Sequence, residues 1–464
     1  MQRGLTVMGL SLLAGGVAAA GGGLPTYEFE LQARTNFSVN PGGAWNMPAD
    51  HFFSGEDVQV NDNRKVSFHV GVTPSNQPKV WYGDASSGGM VYSAAVDAFL
   101  SETSLNNNER VIWDESFVTT DGVYYYDAMT TGSGFLTNRP LGTTTWTAAV
   151  INDAGQVGFR GKLGFSGQAY ISWDPSTPTA HMEHVLETGL DPSSPWAFLF
   201  TPDFNNNRQI AGKGRIGSTS GSAPDEIRIW NSDGSSILIA QDDDADPMSQ
   251  FVGFDNSVAL NDNGWVAFVA DLPGSSRGVF ASNGTTTLTI ATESDPMISD
   301  IEFFAPDINN DGLVTFRAFN ASGQRAIWVG DGTDLAPVVT EDDILPTDLG
   351  DGRVDQNVAS SPVFGGAPCI NNNGDIAFNC GLTPPDDNQV EWGTGIYVAR
   401  VVTPPSCPGD ATGDLMVNFD DLNAVLENWA TSGPVGDVFP EGGDGQVNFD
   451  DLNEVLNHWN TDCN

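Results

Sequence analysis

Leu260-Asn261-Asp262-Asn263-Gly264-Trp265-Val266-Ala267-Phe268 packs a tight turn and the start of a strand into nine residues. Asn and Asp tolerate left-handed backbone and bond their own main chain, so the polar run initiates a turn. Gly264 stands where a positive φ is needed. Val266, Phe268 and Ala270 then alternate onto one face, as a strand does. The same grammar recurs as VNDNRKVSF from Val60, LNNNERVIW from Leu105, INDAGQVGF from Ile151, FNNNRQIAG from Phe204, INNDGLVTF from Ile308 and INNNGDIAF from Ile370. The lead asparagines are Asn61, Asn106, Asn152, Asn205, Asn261, Asn309 and Asn371, spaced by 45, 46, 53, 56, 48 and 62 residues. Such a period marks a repeat architecture.

Gly155, Gly264, Gly312 and Gly374 hold the glycine position; Arg64, Glu109 and Arg208 replace it. The aromatic position holds Phe68, Trp113, Phe159, Phe268, Phe316 and Phe378, and Gly212 interrupts the series. A second strand follows each copy, such as VWYGD from Val80 and IRIWN from Ile227, then a third, such as ILIAQ from Ile237. With one more strand before each asparagine, every repeat has the four strands of a propeller blade. The expected fold is therefore all-β: a seven-repeat β-propeller of four-stranded blades over residues 21–402. The last copy ends at Val402 without its final strand, which YEFELQAR from Tyr27 can supply to fasten the ring. The 62-residue spacing keeps an irregular two-sheet or solenoid stack as the competing architecture.

Acids outnumber bases 60 to 18, a formal charge of −42. Such a surface repels nucleic acid and anionic membranes and attracts divalent cations. Arg3, the apolar run Leu5 to Val17 and Ala18-Ala19-Ala20 read as a secretory signal peptide over residues 1–20. The mature chain then has no membrane span, and the expected location is extracellular or at the cell surface. The four cysteines fit two disulfides in an exported protein. Sequence position suggests Cys369 with Cys380 and Cys407 with Cys463, though three pairings exist.

The region from about Tyr27 to Val402 resembles the bacterial extracellular repeat family named for its NxxGxxxF tandem motif. That family carries no established activity, so the resemblance is specific as a pattern and transfers little function.

Beyond the linker 403–406 the chain repeats with a period of 30: NFDDLNAVLENW from Asn418 matches NFDDLNEVLNHW from Asn448. Leu422, Val425, Leu426 and Trp429 share one helical face, as do Leu452, Val455, Leu456 and Trp459, and each stripe is expected to bury against the other. DATGDLMVNFDD, Asp410 to Asp421, has the length of a twelve-residue calcium loop. Asp410, Thr412 and Asp414 stand at positions 1, 3 and 5; the Met416 carbonyl, Asn418 and Asp421 fill 7, 9 and 12. Hard oxygen ligands suit Ca²⁺. Leu415 stands where glycine is expected, and Thr412 is a poorer ligand than Asp. The second loop is less regular. Counting back from Asp451 gives Asn448 at 9, Gln446 at 7 and Asp444 at 5, but Pro440 and Gly442 at 1 and 3. Asp437 reaches in only if that loop carries an insertion. Acid-capped helices without metal would explain the same acids.

Residues 407–464 resemble a type I dockerin. The resemblance implies a small all-α module of two calcium loops and two helices, docking onto a cohesin-like or cell-surface anchoring protein. It also implies company with polysaccharide-degrading enzymes.

Other constellations are weaker. His181-Met182-Glu183-His184 has the wrong spacing for the HExxH metalloprotease helix. Asp307 to Gly312 copies the start of a calcium loop, but Ala318 stands where the closing carboxylate belongs. Acids recur after the third strands at Glu187, Asp242 to Asp244, Glu293 and Glu341 to Asp343, suiting a solvated rim or a cation site. No catalytic residue or organic cofactor site is singled out. The expected function is a secreted, non-catalytic propeller that binds a glycan or protein and is tethered through its tail. The rivals are a polysaccharide-degrading hydrolase or lyase and a structural envelope protein.

Overall fold

A computed structural model describes residues 23–36, 43–49, 51, 57–71, 76–116, 122–137, 143–164, 167–177, 181–356, 363–402, 407–432, 435–439, 443 and 445–463. The expected signal peptide, the linker and Asp444 lie outside these. The chain forms two compact units, one ending at Val401 and one covering Val402–Asn464. Among the described residues no helix is long and apolar enough to cross a membrane.

The first unit is a seven-bladed propeller of antiparallel four-stranded blades. Blade five shows the pattern without interruption: Gly253–Leu260 innermost, then Val266–Leu272, Ser276–Ser282 and Thr287–Thr292. Phe268, Phe280 and Phe254 pack between its sheet and that of blade four. Blades one to four and six occupy residues 59–93, 99–137, 143–186, 196–241 and 298–340. Blade seven is assembled from both ends of the unit. Phe364–Ile370, Ile376–Thr383 and Gly393–Val401 receive Tyr27–Arg34 as the outer strand, with Tyr27 opposite Val401 and Leu31 opposite Tyr397. An extra hairpin, Ile344–Thr347 and Gly350–Val354, joins this sheet and accounts for the long last spacing.

One expectation is corrected and one explained. Cys369 and Cys380 are not bonded to each other. In the hairpin Cys369 lies opposite Ala377 and Cys380 opposite Phe364, so the two are three positions apart and on opposite faces. Cys369 packs towards blade one and Cys380 into the core of blade seven. Gly212, which interrupts the aromatic series, makes room for its neighbour. A Cβ there would lie 2.4 Å from the Tyr170 hydroxyl, which reaches in from blade three and donates to the Phe200 carbonyl at 2.9 Å.

The second unit holds α1 (Phe419–Glu427) and α2 (Phe449–Asn457), each N-capped by asparagine with a capping box to Asp421 or Asp451. Cys407 and Cys463 are bonded. The core is built on Val417, Val425, Val447 and Val455, all fully buried. The apolar stripes are only partly covered, contrary to expectation. Leu426 and Leu456 are half exposed, and Trp429 and Trp459 are 38% and 42% exposed. Two nine-residue helices have too little facing surface to hide a whole stripe each.

Candidate functional site

The asparagine turns build one end of the propeller axis. In each turn the lead asparagine Oδ1 accepts main-chain N–H bonds from its own loop, as Asn261 does from Asn263 at 3.0 Å and Trp265 at 2.9 Å. Its Nδ2 donates to the carbonyl of the next lead asparagine. These bonds run Asn61 to Asn106, Asn152, Asn205, Asn261, Asn309, Asn371 and back to Asn61, at 2.8–3.3 Å, as a closed ring. A second ring runs through the next residue: each N–H donates to the Oδ1 of the following copy at 2.8–3.0 Å. Asp62, Asp153 and Asp262 never adjoin in this layer; each receives Nδ2 bonds from the amides on both sides. Like charges are thus kept apart by donors.

All seven turns carry positive φ three residues past the lead asparagine, whether that residue is glycine or not. Arg64, Glu109 and Arg208 sit at φ 60°. Each reaches back to the preceding blade: Arg64 pairs with Asp375 at 2.9 Å, Glu109 accepts from the Tyr82 hydroxyl at 2.9 Å, and Arg208 donates to Ser172 at 3.0 Å. These contacts offset a left-handed cost of about 1–2 kcal/mol.

The other end of the axis opens into a funnel of about 950 Å³. It exists because the innermost strands are bulged or broken. Register shifts fall at Thr147/Val150, Phe254/Val258 and Gly365/Cys369, and Pro202, Pro306 and Pro368 withhold an N–H from the ladder. Two residues before each lead asparagine a side chain faces this funnel: Gln59, Ser104, Val150, Asp203, Ala259, Asp307 and Cys369. Asp203 accepts from its neighbour Phe204 N–H at 2.7 Å and from Leu260 N–H of the next blade at 2.6 Å. Asp307 does the same with Ile308 and Ile370, both at 2.8 Å. They cap the main-chain donors that Val150 and Ala259 cannot. Burial, with the nearby Asp307 charge, pushes the Asp203 carboxyl up to about 7. Burial raises Asp307 too, and holds the Cys369 thiol well above its ordinary value, in its inert form. Phe99 and Phe303 stand 70% and 78% exposed on the funnel wall.

Two of the acids that follow the outermost strands, Glu187 and Glu293, are joints between blades. Glu187 accepts from Gln168 N–H at 2.8 Å and from Leu199 N–H of the next blade at 3.0 Å. Glu293 bonds Arg277 and Ile301 N–H in the same way. His181 and His184 do not converge: His184 is buried against Ser172 at 2.9 Å, while His181 contacts Glu183.

In the second unit Asp410, Asp414 and Asp421 bring carboxylate oxygens within 4.8 Å of one another, the one such cluster of metal-ligating side chains among the described residues. Asp410 also accepts from the N–H groups of Gly413, Asp414 and Leu415 at 2.8–3.2 Å, which curls the loop inward. Asp421 takes Thr412 N–H and Oγ1 and Asn418 N–H at 2.7–3.0 Å. Leu415 carries φ 63° where a glycine was expected. This set of hard oxygens fits a calcium-sized cation. The repeat fixes the frame of the other loop. Gly409 lies against Val455 as Gly436 lies against Val425, so Asp437 corresponds to Asp410. Asp437 accepts from Gly445 N–H at 2.7 Å, and Asp451 from Val438, Phe439 and Asn448 N–H at 2.7–2.9 Å. The second loop therefore runs Asp437 to Asp451, longer than the first by an insertion that back-counting from Asp451 misses. Gln446 and Met416 precede the core valines Val447 and Val417 in the two loops.

No curated protein matches the chain. Solved structures that match include TolB from Acinetobacter baumannii, 14% identical, TM-score 0.39, covering 58% of this chain and 61% of TolB, so the chain spans less than two thirds of that length. Polysaccharide lyase Uly1 is 9% identical, TM-score 0.46, with 82% and 100% covered. An acylaminoacyl peptidase from Pyrococcus horikoshii is 11% identical, TM-score 0.44, with 70% and 50% covered. None is similar enough to carry an argument about chemistry. The model of one family, described as a family of unknown function (DUF7453), matches residues 143–301 and 204–401. Together these matches span more than half of the chain, including the asparagine turns of blades three to seven, and the chain belongs to that family.

Proposed function

We propose that the protein is a non-catalytic binding scaffold: the propeller presents its funnel to a ligand, and a calcium-ordered, dockerin-like tail tethers it outside the cell. One observation carries the non-catalytic part. The two axial carboxylates whose pKa burial raises, Asp203 and Asp307, have all four oxygens engaged by main-chain N–H groups of two blades. A general acid or nucleophile needs an oxygen aimed at substrate. These oxygens hold blades together instead. The tethering part is supported by the paired acid loops and by the half-exposed Leu426, Trp429, Leu456 and Trp459, an apolar surface suited to a protein partner.

The intact chain with a panel of polysaccharides and Ca²⁺ tests the first part. No release of reducing or unsaturated ends is expected. Release that disappears in Asp203→Asn would instead establish the rival reading, an enzyme of polysaccharide breakdown.

A further inference from the structure

We infer that the funnel takes a cationic polypeptide segment studded with apolar side chains. This deepens the reading of the propeller as a binding domain and rests on it. The cavity, at about 950 Å³, is large enough for several side chains. Its wall carries the carboxylates Asp57, Glu102 and Asp114, besides Asp203 and Asp307 whose charged forms burial disfavours, against one lining cation, Arg160. Within a chain of net charge −42, this concentrates negative potential in a concave, low-dielectric space.

Charge alone would suit any cation, but the aromatics narrow the class. Phe99 opens the innermost strand of blade two and Phe303 lies in the break of the innermost strand of blade six, 70% and 78% exposed, in a unit that buries most of its described phenylalanines. Arg277 covers one face of the Phe303 ring, 3.7 Å from its centre, so a guanidinium fits an aromatic face here, while the residue stays 78% exposed for the apolar side chains of a ligand. The connections from outermost to next innermost strand enter on the same side as the funnel. They expose Met248, 89%, and Met297, 40%, beside Asp246 and Asp295. Adaptable thioethers among acids form a surface for basic amphipathic chains. An inorganic cation would leave the rings unused. A neutral glycan would use the rings and waste the charge. An anionic ligand would be repelled.

The test titrates the full chain, by fluorescence anisotropy, with a short labelled peptide of alternating lysine and leucine. A twin with glutamate for lysine and a neutral glycan array run in parallel. The lysine peptide is expected to bind, at least tenfold more weakly at high salt, and the glutamate twin to fail. Phe99→Ala with Phe303→Ala should weaken binding at least tenfold. Met129→Ala, an exposed residue at the opposite end of its blade, should not. Both changes lie outside the core, so melting curves should stay superimposable. Equal binding of the two peptides, or loss in Met129→Ala as great as in the phenylalanine pair, overturns the inference. Glycan binding without peptide binding overturns the ligand class and leaves the binding-domain reading intact. Failure of every ligand removes both.

Discussion

Asn261 shows what one side chain contributes at the axis. It is 4% exposed, closes its own turn through Oδ1 and joins the next blade through Nδ2 at 2.8 Å. Asn261→Ala should cost on the order of 2–3 kcal/mol in denaturant unfolding, because it strands two N–H groups and a carbonyl. Arg64 separates strain from contact. Arg64→Ala keeps the left-handed φ and loses the Asp375 bridge, so it should destabilise by about 1–2 kcal/mol; Arg64→Gly relieves the backbone and should lie closer to wild type. The glycine requirement was legible from Gly155, Gly264, Gly312 and Gly374. That Arg64, Glu109 and Arg208 meet it was not, because their compensation comes from the preceding blade. Asp203 adds a pH signature. Between its ordinary 3.8 and about 7 the folded state keeps a proton that the unfolded chain releases, so stability falls as pH rises through that window. His184, pushed down to about 4 by burial, acts oppositely, costing stability as pH falls from 6.5 towards 4. Asp203→Asn should remove only the first slope, visible as the difference between the two unfolding profiles.

At the scale of elements, the four-strand blades follow from period-two alternation, and the seven turns set their number. The funnel was not legible. Its ring of Gln59, Ser104, Val150, Asp203, Ala259, Asp307 and Cys369 has no residue type common to all seven, and the strands bearing it are broken by bulges and prolines that erase periodicity. The closing strand was readable because YEFELQAR had no other partner. Leu31→Ala empties a buried position opposite Tyr397 in the strand that shuts the ring, and should cost about 2–5 kcal/mol. In the tail, helix periodicity located α1 and α2 but overstated their burial. The backbone at Leu415 is the strained element there: Leu415→Gly should raise stability by up to about 1 kcal/mol without added metal.

The first unit is organised by opposite ends of one axis. At one end two closed hydrogen-bonded rings stack, one of asparagines alone and one in which Asp62, Asp153 and Asp262 are separated by amides; at the other a wide acidic funnel stands open. In the proposed function stability lies at the first and recognition at the second, and the duplicated acid loops of the second unit would supply attachment. With a charge of −42, bound Ca²⁺ should also lessen self-repulsion, so that its effect exceeds that of Na⁺ at equal ionic strength. The most direct test of a calcium-ordered tether is calorimetric titration of the full chain with Ca²⁺, beside Asp410→Ala. The account predicts a saturable heat in the native chain and loss of the first-loop component in the variant. No heat, or heat untouched by the substitution, would contradict it.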